Sequence, residues 1–391
     1  MKLWDKGYNI DKAVEEFTTG NDYLLDMKLL KYDCKASIAH ARMLGKVGVL
    51  SATEVKKLVS VLEEIIGLDE KGKFQIRKED EDCHTAIENY LTRKLGDVGK
   101  KIHTGRSRND QVAVALRLYY KDELKKCELL CGSFIKSLKS FSKKYGSIAM
   151  PGYTHTRKAM PSSAGLWAGA FIESMEDNIS LLKGAYSMID QSPLGTGAGY
   201  GVPIKVDRQS TAKELGFAKV QENPIYVQNS RGKFEAEMAH ALSMVMLDLN
   251  KMAQDLITFS MPEFGYFTIP KEFTTGSSMM PHKRNPDALE LLRASYHVVS
   301  SCEFQIKGII SNLISGYNRD FQLTKEPAMK AFDTAETSLA VAGAMVNAIK
   351  VDKNACKKAM TEELFATQQA YLLVKKGVPF RDAYKKVAKK Y

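Results

Sequence analysis

The sequence predicts an all-α fold, a long central helical bundle with smaller N- and C-terminal helical portions. Three observations carry that expectation. Apolar residues recur at three- and four-residue steps through most of the chain, several of these periodic segments run beyond about 25 residues, and strand signals are few. In order, the helical pattern covers 36–47, 52–66 and 80–95, then the long segments 111–145, 163–189, 233–260, 288–313 and 330–349. Long helices with apolar faces argue for a bundle extended by oligomerisation. The segment 191–206 is rich in Gly and Pro (Pro193-Leu194-Gly195-Thr196-Gly197-Ala198-Gly199) and reads as an irregular loop with room for a short hairpin. No Lys-Ser/Thr follows those glycines and no strand–helix unit surrounds them, so backbone packing between helices is favoured over a phosphate cradle. The expected domains are an N-terminal helical domain 1–106, a central helical-bundle domain 107–350 and a short C-terminal helical domain 351–391.

Composition narrows the function class. The 391 residues are 44% hydrophobic and 26% charged, enough for a large buried core. No apolar run reaches the ~18 residues of a membrane span, and Met1–Lys6 carries no apolar signal core. A cytoplasmic protein with no membrane partner is expected. The six Cys are scattered without zinc-type pairing, and Cys127 and Cys131 share a helix face at i,i+4, which suits core packing in a reducing compartment better than a metal site. The net charge of +11 is spread along the chain and interleaved with Asp and Glu, so no nucleic-acid partner is expected. An excess of positive charge also suits a substrate carrying several carboxylates.

Four polar islands interrupt the helices. The first, His103-Thr104-Gly105-Arg106-Ser107-Arg108-Asn109-Asp110-Gln111, precedes a long helix that Asn109 or Asp110 could cap; its backbone N–H groups favour an anion, and Ser107, Arg108 and Asn109 could clamp a carboxylate. The bland alternative is an ordinary capped helix start. The second, Pro151-Gly152-Tyr153-Thr154-His155-Thr156-Arg157, sets a His beside a Thr in a Pro/Gly turn, where it could bind a carboxylate and shuttle a proton, although a lone His is more often structural. The third, Gly276-Ser277-Ser278-Met279-Met280-Pro281-His282-Lys283-Arg284-Asn285-Pro286, is a hydroxyl-rich loop with one well-placed ammonium. It suits removal of a proton beside a carboxylate, a Ser oxygen being the base and the Lys holding the charge that develops. The bland alternative is a polar loop between two helices. The fourth runs from Tyr317 to Gln322 with Lys325-Glu326, for which the plain reading is a surface helix start with a solvated Lys–Glu pair.

Taken together, the islands resemble the fumarase/aspartase superfamily of lyases and, within it, the argininosuccinate lyase family. Gly276 to Asn285 matches the superfamily's GSSxMPxKxN loop, and His103 to Gln111 is typical of the argininosuccinate branch. Pro151 to His155, Pro193-Leu194-Gly195, Tyr317 to Glu326, Ser37 to Arg42 and Gly377 to Arg381 also fit, so the resemblance spans nearly the whole chain. It implies β-elimination of argininosuccinate to arginine and fumarate, without metal or organic cofactor, by a homotetramer with shared active sites. It implies Ser277 as base, Lys283 with Asn285 as stabilisers of the carbanion-like intermediate, and His155, held by Glu290, on the acid side. Thr154, Ser107, Arg108 and Asn109 resemble binders of the succinyl carboxylates, and Tyr317, Gln322 and Lys325 the contacts to the amino-acid half, with His84 near the site. The alternatives are adenylosuccinate lyase, another fumarate-releasing lyase of the superfamily, or a crystallin-like structural protein. The chain departs from the pattern at Ser230-Arg231-Gly232-Lys233-Phe234, where the family's Arg is displaced by one position and two acidic residues are gone. It departs again at Lys6-Gly7-Tyr8-Asn9, and at Gly20-Asn21-Asp22, which replaces a Ser-rich substrate segment.

Overall fold

The structure, a computed structural model, describes residues 11–391. The Met1–Lys6 reading and the Lys6–Asn9 departure lie outside the described residues. Five long helices dominate: Arg108–Tyr145, Ala164–Ile189, Lys233–Phe259, Asp287–Ile310 and Lys325–Ala348. They fall close to the periodic segments because nothing interrupts the pattern. Lys233–Phe259 contains neither Gly nor Pro, and Pro327 sits in the first turn of its helix, where a missing N–H is tolerated. Lys325–Ala348 starts five residues before the periodic segment, since its first turn is polar.

The chain forms two compact units, each discontinuous in sequence. One takes the described residues up to 126, with 182–240 and 301–332; the other takes 127–181, 241–300 and 333–391.

In the first unit, Leu30–Lys46 packs on Ala52–Asp69. A capping box fixes the start of the second of these helices: Glu54 N–H donates to Ser51 Oγ at 3.3 Å and Ser51 N–H to Glu54 Oε2 at 2.8 Å. Cys83–Leu95 follows, capped by Asp82, which accepts from Thr85 N–H at 2.9 Å. An aromatic group of Tyr119, Tyr120 and Phe332 fills one part of the interior, with the Tyr120 and Phe332 rings stacked 6.0 Å apart. The hairpin expected within 191–206 is absent. Gln191–Ser192 pairs instead in parallel with Lys219–Val220, and Val114, Leu194, Ala212, Phe217 and Val220 form a buried cluster over that pairing.

In the second unit the sequence missed a strand pair. Ala149–Thr154 and Arg157–Ser163 form an antiparallel hairpin with a bulge between Gly152 and Tyr153. Pro151 and Pro161 face one another in it, and two prolines in one short run hide a strand pattern. Tyr153 is tied to Tyr266 by a 2.7 Å hydroxyl contact, and Phe141, Trp167, Phe171, Phe259 and Phe267 build the aromatic interior of this unit. Short helices Lys353–Ala359, Ala366–Lys375 and Phe380–Ala388 close the chain. All six Cys are buried and none forms a disulfide, with Cys127 and Cys131 fully buried, as core packing requires. Among the described residues no helix is long and apolar enough to cross a membrane.

Candidate active site

Within the first unit a cavity of ≈ 210 Å³ collects four of its cations, Arg108, Arg231, Arg319 and Lys325, and three carboxylates, Asp22, Asp26 and Asp82. His84, Asn109, Val112, Tyr317 and Gln322 complete its lining. Six residues expected at a site from sequence therefore share one wall system: His84, Arg108, Asn109, Tyr317, Gln322 and Lys325.

The plain reading of Lys325 as solvated charge is overturned. Lys325 is 3% exposed, and its ammonium donates to Asp26 at 2.5 Å and lies 3.1 Å from Asp22. Burial alone would lower its pKa, but Asp26 and Asp22 outweigh burial and hold it above the usual lysine range. His84 is likewise buried, and its Nδ1 pairs with Asp33. Burial works against charge on His84, yet Asp33, Asp82 and Asp26 together raise its pKa. Burial pushes Asp33 upward, but His84, Arg106 and Gln111 prevail and bring it to about 2. Gln111 donates to Asp33 at 3.0 Å, and Arg106 holds Ser37 at 2.9 Å beside it. The ligand atoms of Asp26, Cys83 and His84 lie within 4.8 Å of one another, the spacing of a metal set. Asp26 and His84 already hold ionic partners, and burial keeps the Cys83 thiol well above its ordinary pKa, so this trio suits ion pairing better than cation ligation.

The expected helix cap is corrected. Ser107, rather than Asn109 or Asp110, caps Arg108–Tyr145: its Oγ accepts from Asn109 N–H at 3.3 Å while Asp110 reaches back to Ser107 N–H at 2.8 Å. The second oxygen of Asp110 accepts from Gly195 and Gly197 N–H, each at 2.9 Å. The glycine-rich segment thus cradles one of the chain's own carboxylates. Gly195 and Gly197 sit at φ +87° and +60°, the left-handed backbone that lets both amides converge on one oxygen. Burial raises the Asp110 pKa to about 6 against the pull of those N–H groups. Arg108 is engaged by Asp82 and, at 3.4 Å, by Glu81.

In the second unit, the hydroxyl-rich loop closes as a hairpin: Thr275–Gly276 pairs antiparallel with Arg284–Asn285, and Asn285 Nδ2 donates to Gly276 O at 3.4 Å. Ser277 Oγ accepts from Met280 N–H at 3.0 Å and Met279 N–H at 3.3 Å. Two amides on one hydroxyl oxygen favour its anionic form. Lys283 is exposed, and its backbone N–H donates to Met280 O at 3.0 Å. Thr154 and His155 stand exposed at the tip of the Ala149–Ser163 hairpin. His155 and Thr156 occupy φ +51° and +60°, the two-residue turn usually given to Asn-Gly and costly for a β-branched Thr. Glu290 is exposed on the first turn of Asp287–Ile310, and within the described chain His155 and Glu290 form no ion pair.

Comparison with known proteins gives this arrangement its frame. A lyase family matches residues 7–300. The argininosuccinate lyase of Thermotoga neapolitana is 56% identical over 390 residues, covering 100% of this chain and 98% of the relative. The chain belongs to the argininosuccinate lyase family. That of Sorangium cellulosum is 43% identical, covering 99% and 90%. Solved structures agree on the fold: an EDDS lyase bound to formate superposes with a TM-score of 0.83 at 22% identity, covering 97% of this chain and 76% of that one. A class II fumarase from Schistosoma mansoni does so at 0.80 and 15%, covering 96% and 91%.

Against the family pattern, sequence reasoning missed the acids. Asp22, Asp26 and Asp33 lie on helical segments where spacing suggests solvated charge, and no local signal marks their burial. Arg231, set aside because the family's Arg is displaced, lines the cavity. The turn that places it can only carry glycine next: Gly232 has φ +74°, and a Cβ there would stand 2.1 Å from Ile310 Cγ2.

Proposed function

We propose that this protein cleaves argininosuccinate into arginine and fumarate, as a cytoplasmic homotetramer whose sites draw on more than one subunit. The observation that carries the reading is the Ser277 hydroxyl, held by two backbone amides on a loop that also bears Lys283. Ser277, as alkoxide, takes the proton from the succinyl carbon beside a carboxylate. The electron pair moves onto that carboxylate, whose doubled charge Lys283 and Asn285 stabilise. The C–N bond then breaks as the carboxylate reforms and the double bond of fumarate appears. His155, oriented by Glu290, keeps the departing guanidinium nitrogen protonated, directly or through water, since an unprotonated guanidine anion is a poor leaving group. Thr154, Ser107, Arg108 and Asn109 hold the succinyl carboxylates; Tyr317, Gln322, Lys325 and His84 serve the amino-acid end. The exposure of Ser277's loop, His155 and Glu290 within one chain supports completion by neighbouring subunits, because elimination chemistry needs water excluded.

The test is fumarate absorbance on adding argininosuccinate, and then adenylosuccinate. Release from the first alone is expected. No release from argininosuccinate at high enzyme concentration would refute the reading, and release from adenylosuccinate alone would favour the neighbouring branch.

A further inference from the structure

Among the described residues, one cation of the cavity is left without an ionic partner. Lys325 is neutralised by Asp26 and Asp22, Arg108 by Asp82 and Glu81, and the exposed Arg319 spends its guanidinium on Thr18 O at 2.7 Å. Arg231 is different. It is 7% exposed, it lines the cavity, and its Nε is buried with no hydrogen-bond partner. Its guanidinium lies on the faces of Tyr317 and Phe321, at 5.2 and 5.6 Å from the ring centroids, and makes no ion pair among the described residues. Rings fix the plane of a guanidinium but satisfy none of its N–H groups. The nearest acid by charge, Glu235, is pushed upward by burial and already accepts from Gly232 N–H at 2.7 Å. A buried, planar, unpaired cation on a polar cavity wall is half of a carboxylate site.

The rest of the wall says which carboxylate. Asp22 is tied only at 3.1 Å to a Lys325 that Asp26 already holds more closely, and its side chain keeps 18% exposure. Burial raises its pKa, and a cation brought to it relieves that penalty. A cation site and an anion site on one cavity fit an α-ammonium with an α-carboxylate, whereas a dicarboxylate would meet Asp22, Asp26 and Asp82 with no charge to offer them. We propose that Arg231 binds the α-carboxylate of the substrate's amino-acid half, with Asp22 receiving the α-ammonium. The inference rests on the lyase reading and assigns to this chain's own Arg231 and Asp22 a selectivity for α-amino acids. Both depart from the family pattern noted in the sequence: the Arg is displaced by one position, and Asp22 lies in the segment that replaces a Ser-rich one.

The test uses the full protein and product inhibition. Wild type is compared with Arg231→Gln, Arg231→Lys and Asp22→Asn, with arginine, agmatine (arginine without its carboxylate) and fumarate as inhibitors. Loss of one arm of a charge-assisted contact is expected to weaken arginine about 30-fold in Arg231→Gln and to raise KM by a similar factor, with a smaller change in kcat. Agmatine should weaken by less than about 3-fold, so the arginine-to-agmatine preference of wild type collapses, and Arg231→Lys should restore part of it. Fumarate inhibition, unchanged across the set, reports that the variants are folded. Asp22→Asn should weaken arginine and agmatine alike, since both carry the ammonium that Asp22 receives; loss of arginine binding alone in that variant would remove Asp22 from the assignment. If Arg231→Gln weakens arginine and agmatine equally, or leaves both as in wild type, the assignment is overturned. A wild-type protein inactive on argininosuccinate would instead overturn the underlying lyase reading.

Discussion

The two compact units present their polar groups in opposite ways. In the first, the polar side chains of the cavity are buried or half-buried and already answered within the chain: Lys325 by Asp26 and Asp22, His84 by Asp33, Arg108 by Asp82. In the second, Ser277 is half-buried, and Thr154, His155, Lys283 and Glu290 are exposed on turns and a helix start. Under the proposed roles, the contrast teaches that recognition and bond-breaking are built differently. A pre-paired cavity resists collapse and fixes geometry before substrate arrives, and its cost is carried by buried ion pairs. Exposed groups on hairpin tips have little field around them, and gain catalytic strength only when something covers them and removes water.

The largest expected effect breaks the second half of this contrast. Ser277→Ala should lower kcat by about 10²–10⁴-fold, as loss of a general base does, while leaving thermal stability unchanged because its loop is largely exposed. Normal turnover in that variant would remove Ser277 as the base. Lys325→Met should cost stability as well as substrate binding. It leaves the buried Asp26 and the half-buried Asp22 unbalanced and should cost about 3–5 kcal/mol of folding stability by denaturant titration. A loss below about 1 kcal/mol would show that the cavity is not pre-paired.

Asp33→Asn sharpens the point through pH. The folded-state pKa of Asp33 is depressed to about 2, so its contribution is present above its unfolded value of about 3.9 and fades as pH falls toward 2. The folded-state pKa of His84 is raised, so its contribution is present below about 6.5 and fades as pH rises through the folded value. The stability difference between wild type and Asp33→Asn should therefore be a plateau from about pH 4 to 6.5, near 2 kcal/mol, that shrinks on both sides. A difference independent of pH would mean the pair is not ionic. The smallest effect is expected at Asp110→Ala, which removes the acceptor of Ser107 N–H at the helix start and of two glycine amides; about 1–2 kcal/mol should be lost, with faster amide exchange confined to the Gly195–Gly197 segment.

Sequence legibility follows the same division. The long helices were readable because an apolar stripe repeated over many turns cannot be produced by other elements. The expected 111–145 segment became Arg108–Tyr145, and the shift is the polar first turn that Ser107 caps. The hairpin of Ala149–Ser163 was not readable, since Pro151, Gly152 and Pro161 look like loop punctuation and His155-Thr156 lacks the Asn-Gly of such a turn. The loop holding Ser277 stood out in the sequence because its residue types are unusual together. Asp22, Asp26 and Asp33 were invisible because a carboxylate's partner, Lys325 or His84, lies far along the chain and only folding brings it near.

The central claim is that exposed catalytic groups of one chain act with the buried cavity of another. It is tested most directly by mixing two inactive variants, Ser277→Ala and Asn109→Leu, by co-expression, and measuring fumarate release against each alone. Shared sites predict recovery of up to about a quarter of wild-type activity in the mixed assemblies, because some sites then receive both intact halves. Activity no higher than that of the separate variants, in mixed assemblies shown to have formed, would contradict the account.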